Sequence, residues 1–159
     1  MKRIATSLVI DARREDVWRA LTDFGAYPEW NRLLPKVEGA AALGARLDLT
    51  IAVPDGARRI VRLPARIVDF APGRSLAWIG GLWPVFRGRH WFRLKPARQG
   101  TLLEHGEDMA GVYPLFLGQA YLEALRGAYA AMNSGIAARV EAARAAPSSA
   151  TAEPELLPC

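Results

Sequence analysis

The most regular pattern in the chain is an apolar stripe towards its C-terminal end. Apolar residues recur there at steps of three or four positions, at Leu122, Leu125, Tyr129, Met132, Ile136, Val140 and Ala143. Because an α-helix has about 3.6 residues per turn, this spacing places them on one helix face. The stripe predicts one long amphipathic helix from about Gln119 to Ala146.

The part of the chain before this helix changes to a period of two. In the clearest segment, Leu47, Leu49 and Ile51 alternate with polar residues, which is typical of a half-buried strand. Turn signals such as Pro72-Gly73 separate the segments. The pattern predicts an α+β protein with a seven-stranded antiparallel sheet curved around the C-terminal helix. One or two short helices follow the first strand. Such a sheet leaves a cavity wherever large side chains are missing between it and the helix.

The turn at residues 96–100 sets the register of the last predicted hairpin. It places three pairs of residues opposite one another: Leu94 with Leu103, Phe92 with His105, and His90 with Glu107. Since side chains alternate along a strand, all six face the same side of the sheet. The apolar pairs point that side towards the core. Both histidines of the chain and one carboxylate are therefore predicted to line the cavity.

The His90–Glu107 pair allows two interpretations. A cavity imidazole beside a carboxylate is a plausible general base, and the two groups could share a hydrogen bond. The same pair could instead be a satisfied polar contact that keeps the two strands in register. The sequence leaves both interpretations open.

Composition indicates one domain that needs no cross-links. The chain has 159 residues, of which 51% are hydrophobic and 23% charged. These values are ordinary for a globular protein, and a chain of this length can bury a sufficient core. The single cysteine is Cys159, so no disulfide can form within the chain. We expect a domain over residues 1–146 and a disordered, proline-containing tail over residues 147–159.

Charge and motifs narrow the function classes. The net charge is +5, but the arginines are dispersed, and we expect no nucleic-acid binding. No apolar run is long enough to span a membrane, and the first residues do not resemble a signal peptide, so a cytoplasmic protein is expected. No nucleotide-binding fingerprint is present, and two histidines with one glutamate lack the spacing of a metal site. We therefore expect neither a cofactor nor a metal.

Several strings in the expected order resemble one superfamily. They are Val17–Asp23 with Tyr27–Asn31, then Pro72–Trp78, Gly88–Pro96, Gly100–Glu107 and Gly111 with Leu125–Asn133. The chain resembles the START-like, or SRPBCC, superfamily, whose members share the helix-grip fold of the birch-pollen allergens. The closest resemblance is to its bacterial polyketide cyclase/dehydrase and lipid-transport family, over residues 3–146. The fold alone does not determine the chemistry, because it carries binding proteins and enzymes alike.

The resemblance implies three functions. The first is binding or transport of a hydrophobic small molecule such as a lipid, a quinone or a polyketide-like compound. The second is a cyclase or dehydratase that uses His90, His105 and Glu107 for acid–base catalysis. The third is an accessory protein that docks on a partner or a membrane surface. Under any of the three, we expect a monomer or a homodimer, and contact with a membrane surface is possible. The residues expected to contact the ligand are Trp30, Trp78, Phe86, His90, Phe92, Leu103, His105, Glu107, Met109 and Tyr129.

The segment between Gly80 and Gly88 is expected to be a loop that borders the cavity mouth. It contains Trp83 and Phe86, which could form a gate or pack locally. Arg87 and Arg89 are expected to flank the same mouth. There they would favour an anionic ligand group or an acidic membrane, or would form a solvated rim.

Overall fold

The computed structural model describes residues 1–54 and 59–145. Its elements follow the predicted order of one strand, two short helices, six strands and a long helix. The strands are β1 (Lys2–Ile10), β2 (Lys36–Glu38), β3 (Arg46–Ala52), β4 (Ile60–Ala71), β5 (Ser75–Leu82), β6 (Phe86–Ala97) and β7 (Gly100–Ala110). The helices are α1 (Arg14–Thr22), α2 (Tyr27–Trp30) and α3 (Gln119–Ala145), with short 3-10 helices at Phe24–Ala26 and Tyr113–Phe116.

The seven strands form one antiparallel sheet in the order β1-β7-β6-β5-β4-β3-β2. Helix α3 packs against β1, β7 and α1, and its buried side chains belong to the main core. This architecture confirms the predicted helix-grip fold. Ala146, predicted as the last residue of the helix, and the predicted tail at 147–159 lie outside the described residues.

The register of the β6–β7 hairpin is the one predicted from its turn. Leu94 lies opposite Leu103, Phe92 opposite His105, and His90 opposite Glu107. The tight turn at Ala97–Gly100 sets this register. Burial reinforces it, because a shift by one residue would turn the buried side chains to the outer face.

The expected loop between Gly80 and Gly88 is much shorter in the structure. Strand β5 continues to Leu82 and β6 begins at Phe86, and Gly80 pairs with Gly88 across the two strands. Glycines in a strand therefore mark a place without side chains rather than the end of the strand. Only residues 83–85 remain as the turn.

This extension of β6 corrects the expected position of two arginines. His90 faces the helix, so Arg87 and Arg89 lie on the outer face of the sheet. Arg89 Nη2 lies 3.9 Å from Asp69 Oδ2, and Arg87 lines a depression on that outer face. Neither arginine lines the cavity between the sheet and α3.

Candidate functional site

A cavity of about 360 Å³ lies between the sheet and the first half of α3. Most of its wall is aliphatic or aromatic, which is typical of small-molecule sites. The sheet and the segments before it contribute Leu33, Leu34, Leu49, Ile51, Val53, Pro54, Arg59, Val61, Leu63, Trp78, Gly80, Val85, Phe86, Gly88, His90, Glu107 and Met109. The chain after the sheet contributes Tyr113, Leu117, Tyr121, Leu125 and Tyr129.

Six of the ten predicted ligand residues line this cavity. They are Trp78, Phe86, His90, Glu107, Met109 and Tyr129. The prediction was wrong to place Phe92, Leu103 and His105 at the surface of the cavity. All three are fully buried, with the aromatic groups of His90 and Tyr129 packed against Phe92 and His105.

Trp30 also does not line the cavity. Its ring packs against Tyr27 with 4.7 Å between the ring centroids. On its other side it lies against α3 so closely that a Cβ at Gly135 would stand 2.8 Å from Trp30 Cε3. Trp30 therefore fills the space between α2 and the second half of α3.

A chain of hydrogen bonds connects the cavity to the core. His90 Nε2 and His105 Nε2 are 2.8 Å apart, and His105 Nδ1 is 2.8 Å from Asn133 Oδ1. Asn133 Nδ2 in turn donates to Thr6 Oγ1 at 3.0 Å. Strands β1, β6 and β7 and helix α3 thus each contribute one polar side chain to the network.

The direction of these hydrogen bonds assigns the tautomer of each histidine. Because Asn133 Oδ1 can only accept, His105 Nδ1 carries a proton and donates it. The other nitrogen of a neutral His105 is then an acceptor, and His90 Nε2–H donates to it. The lone pair on His90 Nδ1 is the acceptor that the network does not use.

Burial keeps both imidazoles neutral. The ring of His105 is stacked between Phe92 and Tyr129, at centroid distances of 4.4 and 4.6 Å. This desolvation lowers the pKa of His105 to about 4, and the hydrogen bond to Asn133 opposes the shift only in part. His90 is stacked on Trp78 at 4.8 Å, and its burial, with the neighbouring His105, lowers its pKa well below the ordinary value.

Glu107 and Tyr129 form the second polar group of the cavity. The Tyr129 hydroxyl donates a short hydrogen bond to Glu107 Oε2. Desolvation raises the pKa of Glu107, although the hydrogen bond from Tyr129 lowers it in part. Burial, together with the Glu107 carboxylate, raises the pKa of Tyr129 well above its ordinary value. Tyr129 is therefore a hydrogen-bond donor at neutral pH.

His90 and Glu107 are neighbours in register but have different partners. The hydrogen bond considered from the sequence does not form, because His90 bonds to His105 and Glu107 to Tyr129. The other oxygen of Glu107 extends over Gly88, where an added Cβ would lie 2.2 Å from Oε1. Both groups nevertheless face the same cavity.

Sequence reasoning missed several polar residues of the site. Asn133 lies one position after Met132 in the apolar stripe, so a polar residue on a buried helix face was the available signal. Thr6, Arg59 and Tyr121 carry no comparable signal, because their positions depend on how distant elements meet.

Among the described residues, no three His, Cys, Asp or Glu side chains come together as a metal site. No helix in the same part of the chain is long and apolar enough to cross a membrane.

Comparison with solved structures shows the same fold at low sequence identity. The START superfamily protein from Mycobacterium smegmatis has a TM-score of 0.71 at 17% identity, with 89% of this chain and 98% of that chain covered. The protein TTHA0849 from Thermus thermophilus has a TM-score of 0.73 at 16% identity, with 89% and 99% covered.

An enzyme is also among the similar structures. The Zhui aromatase/cyclase from Streptomyces sp. R1128 has a TM-score of 0.67 at 18% identity, with 91% of this chain and 96% of that chain covered. A search of curated proteins found none that matches this chain in sequence. The model of one family, described as polyketide cyclase/dehydrase and lipid transport, matches residues 1–141. The chain therefore belongs to the polyketide cyclase/dehydrase and lipid transport family.

Proposed function

We propose that this protein binds an elongated apolar molecule that carries a neutral hydroxyl or carbonyl group at one end. The observation that carries the proposal is the distribution of polarity in the cavity. Three polar side chains lie together, since the rings of His90 and Tyr129 are 5.1 Å apart and Tyr129 donates to Glu107, while aliphatic residues form most of the remaining wall. A ligand would enter with its polar end towards these three groups and its apolar body along the wall.

The charge state of the three groups favours a neutral ligand. His90 is neutral and offers a lone pair on Nδ1, which suits a hydroxyl donor. A ligand carboxylate at this place would share one desolvated site with the Glu107 carboxyl, where two negative charges repel, so one of the two groups would have to take up a proton. A fatty acid should therefore bind less tightly than the alcohol of the same chain length.

Displacement of Nile red tests this preference. At neutral pH, a long-chain alcohol should displace the dye at lower concentration than the carboxylic acid of equal length. Glu107→Gln should narrow the difference, because the amide removes the repulsion and still accepts the hydrogen bond from Tyr129. Glu104→Gln is the matched control, since Glu104 lies on the same strand and pairs with Lys95 outside the cavity. Failure of both ligands to displace the dye, or equal displacement by both, would contradict the proposal.

The second candidate function is a cyclase or dehydratase. It is favoured by the lone pair of His90 and the Glu107 carboxyl facing one cavity. His90 Nδ1 would take a proton from a carbon next to a carbonyl, and Glu107, in the protonated form that its raised pKa favours, would protonate the hydroxyl that leaves as water. His105 does not line the cavity, so it would act through His90 by holding its tautomer.

The same Glu107→Gln variant separates the two functions. An enzyme should lose turnover of a cyclisable polyketide-like substrate while binding of an uncharged ligand stays unchanged. A pure binding protein should show no turnover even in the unmodified chain. Native mass spectrometry of protein purified from cells would identify a ligand carried through purification.

A further inference from the structure

Two loops beside the cavity expose an unusual amount of apolar surface. They are the end of β5 with the β5–β6 turn, and residues 112–116 after β7, and we call them together the apolar rim. The rim consists of Leu82, Trp83, Val85, Val112, Tyr113, Leu115 and Phe116. Trp83 is 66% exposed and Phe116 79% exposed. Large apolar side chains gathered in one patch are typical of interaction surfaces, whereas scattered ones are not.

Hydrogen bonds join the two loops into one surface. Val112 N–H donates to Pro84 O at 3.1 Å, and Tyr113 N–H donates to Val85 O at 2.9 Å. The rings of Phe86 and Tyr113 meet edge to face at 6.3 Å between centroids. The exposed side chains are therefore carried on a connected backbone.

The apolar rim borders the opening of the cavity. Val85 and Tyr113 line the cavity and are also exposed at the surface. Whatever covers the rim therefore lies where an apolar ligand would enter or leave.

The charges around the rim are positive. The chain has no acidic residue from 70 to 103 and no charged residue from 109 to 122. On the outer face of the sheet, a depression is lined by Trp83 of the rim together with Arg46, Arg66 and Arg87, and Asp48 is the one carboxylate among its described lining residues. Arg46 and Arg66 lie directly opposite each other on β3 and β4. Like charges in this position repel, so an anion that binds between them would be stabilising.

We propose that the apolar rim inserts into the surface of a bilayer that contains anionic phospholipids, with Arg46, Arg66 and Arg87 contacting the headgroups. Apolar and aromatic side chains flanked by arginines match the polarity change at such a surface. The absence of carboxylates in the inserting segments avoids the repulsion that an anionic membrane would cause. The cavity opening then faces the lipid phase, from which an apolar ligand can be exchanged. This proposal does not depend on which ligand the cavity holds.

Vesicle flotation tests the insertion of the rim. The protein should float with phosphatidylcholine vesicles that contain phosphatidylglycerol, and less with phosphatidylcholine alone. A double variant with Leu115→Ser and Phe116→Ser should lower the partition coefficient by about tenfold or more, because two large apolar side chains no longer leave water. Leu43→Ser is the matched control, since Leu43 is 67% exposed and lies away from the cavity. It should partition like the unmodified chain.

Brominated phospholipids test the depth of Trp83. Their acyl-chain bromines should quench part of the tryptophan fluorescence, and Trp83→Phe should remove that quenching while leaving flotation nearly unchanged. A variant with Arg46→Gln and Arg66→Gln should keep binding to neutral vesicles and lose the preference for phosphatidylglycerol. High salt should have the same effect on the unmodified chain.

Three results would overturn the proposal. One is the absence of flotation with either vesicle. A second is equal flotation of the Leu115/Phe116 double variant and the unmodified chain. The third is a dimer in sedimentation analysis that the double variant separates into monomers, which would make the rim a contact between copies of this chain. Nile red binding without vesicles serves as the control for the cavity, and rim variants should retain it.

Discussion

The two halves of helix α3 face very different interiors. In the second half, Met132, Ile136 and Val140 are buried in close contact with the core, and α1, α2 and β1 pack around them. In the first half, Tyr121, Leu125 and Tyr129 line an open cavity. One continuous helix therefore serves as a stabilising element at one end and as a wall of the binding site at the other.

The boundary between the halves is the polar network around His105. Asn133, one turn after Tyr129, binds His105 on its buried side, while His90 on the other side reaches the cavity. The floor of the cavity is therefore a layer of hydrogen-bonded polar groups and stacked aromatic rings. Within this layer the hydrogen bonds of His105 hold both histidine tautomers, and only the Nδ1 lone pair of His90 is left for a ligand.

The largest expected effect distinguishes the packing of the two halves. Ile136→Ala should lower the free energy of unfolding by about 2–5 kcal/mol, because it leaves a hole in a closed core. Leu125→Ala should cost clearly less, since Leu125 already borders open space. Urea denaturation measures both. Equal losses would mean that the first half is as closely packed as the second.

The next variant removes a hydrogen bond from the polar network around His105. Asn133→Ala leaves His105 Nδ1–H without its acceptor, and a buried unsatisfied donor costs about 1–3 kcal/mol, while Thr6 keeps its hydrogen bond to His105 O. Ser134→Ala is the neighbouring control, because Ser134 is exposed and its hydroxyl donates to the backbone of its own helix. Its stability should change little. A loss of the same size in both variants would contradict a structural role of the network.

In the unmodified protein, a fall in pH should lower the free energy of unfolding through the buried His105. His105 has a pKa of about 4 in the folded state and about 6.5 in the unfolded chain, so the unfolded chain binds the additional proton between these values. The contribution of the neutral His105 to stability is therefore fully present above pH 6.5 and is lost as the pH falls towards 4. The slope for one histidine approaches about 1.4 kcal/mol per pH unit.

Urea denaturation at a series of pH values measures this slope. The lowered pKa of His90 acts in the same direction, whereas the raised pKa of Glu107 makes its burial less costly as the pH falls. His105→Gln should flatten the pH dependence even where it lowers stability. If His105→Gln left the slope between pH 6.5 and 5 unchanged, the assignment of a neutral, buried His105 would be contradicted.

The smallest expected changes in stability come from substituting two glycines of α3. Gly127 lies in the first half, where no described atom comes within 4 Å of an added Cβ, so Gly127→Ala should stabilise the helix by about 0.5–1 kcal/mol. Gly135 lies in the second half against Trp30, where an added Cβ would stand only 2.8 Å from the ring. Gly135→Ala should therefore destabilise the protein. Thermal unfolding of both variants is the measurement, and a change of the same sign in both would contradict the difference between the halves.

The β6–β7 hairpin shows how much of the site could be predicted. A tight turn and an alternating pattern were enough to place His90 opposite Glu107 and both towards the core. The same reasoning suggested a hydrogen bond between the two side chains, which does not form. Register determines where Cα atoms lie, but the hydrogen-bond partners of these side chains come partly from α3, which follows later in the chain.

The segment between Gly80 and Gly88 shows a second limit of prediction from the sequence. Arg87 and Arg89 were expected to flank the cavity mouth because the glycines at 80 and 88 indicated a loop. The strands continue through both glycines, and the alternation of β6 then turns the arginines outwards. A glycine permits a turn without requiring one, so the pairing with the neighbouring strand decided the outcome.

The sequence by itself determined the fold class, the long helix, the faces of the strands and the register of the last hairpin. These follow from periodic burial of apolar residues and from turn geometry, which are local and repeat along the chain. Only the tertiary structure decided that His105 lies behind His90, that Tyr129 donates to Glu107 and that one half of α3 borders a cavity. The physical reason is that these features depend on side-chain volumes and hydrogen-bond partners from distant elements, which meet only when the helix packs on the sheet.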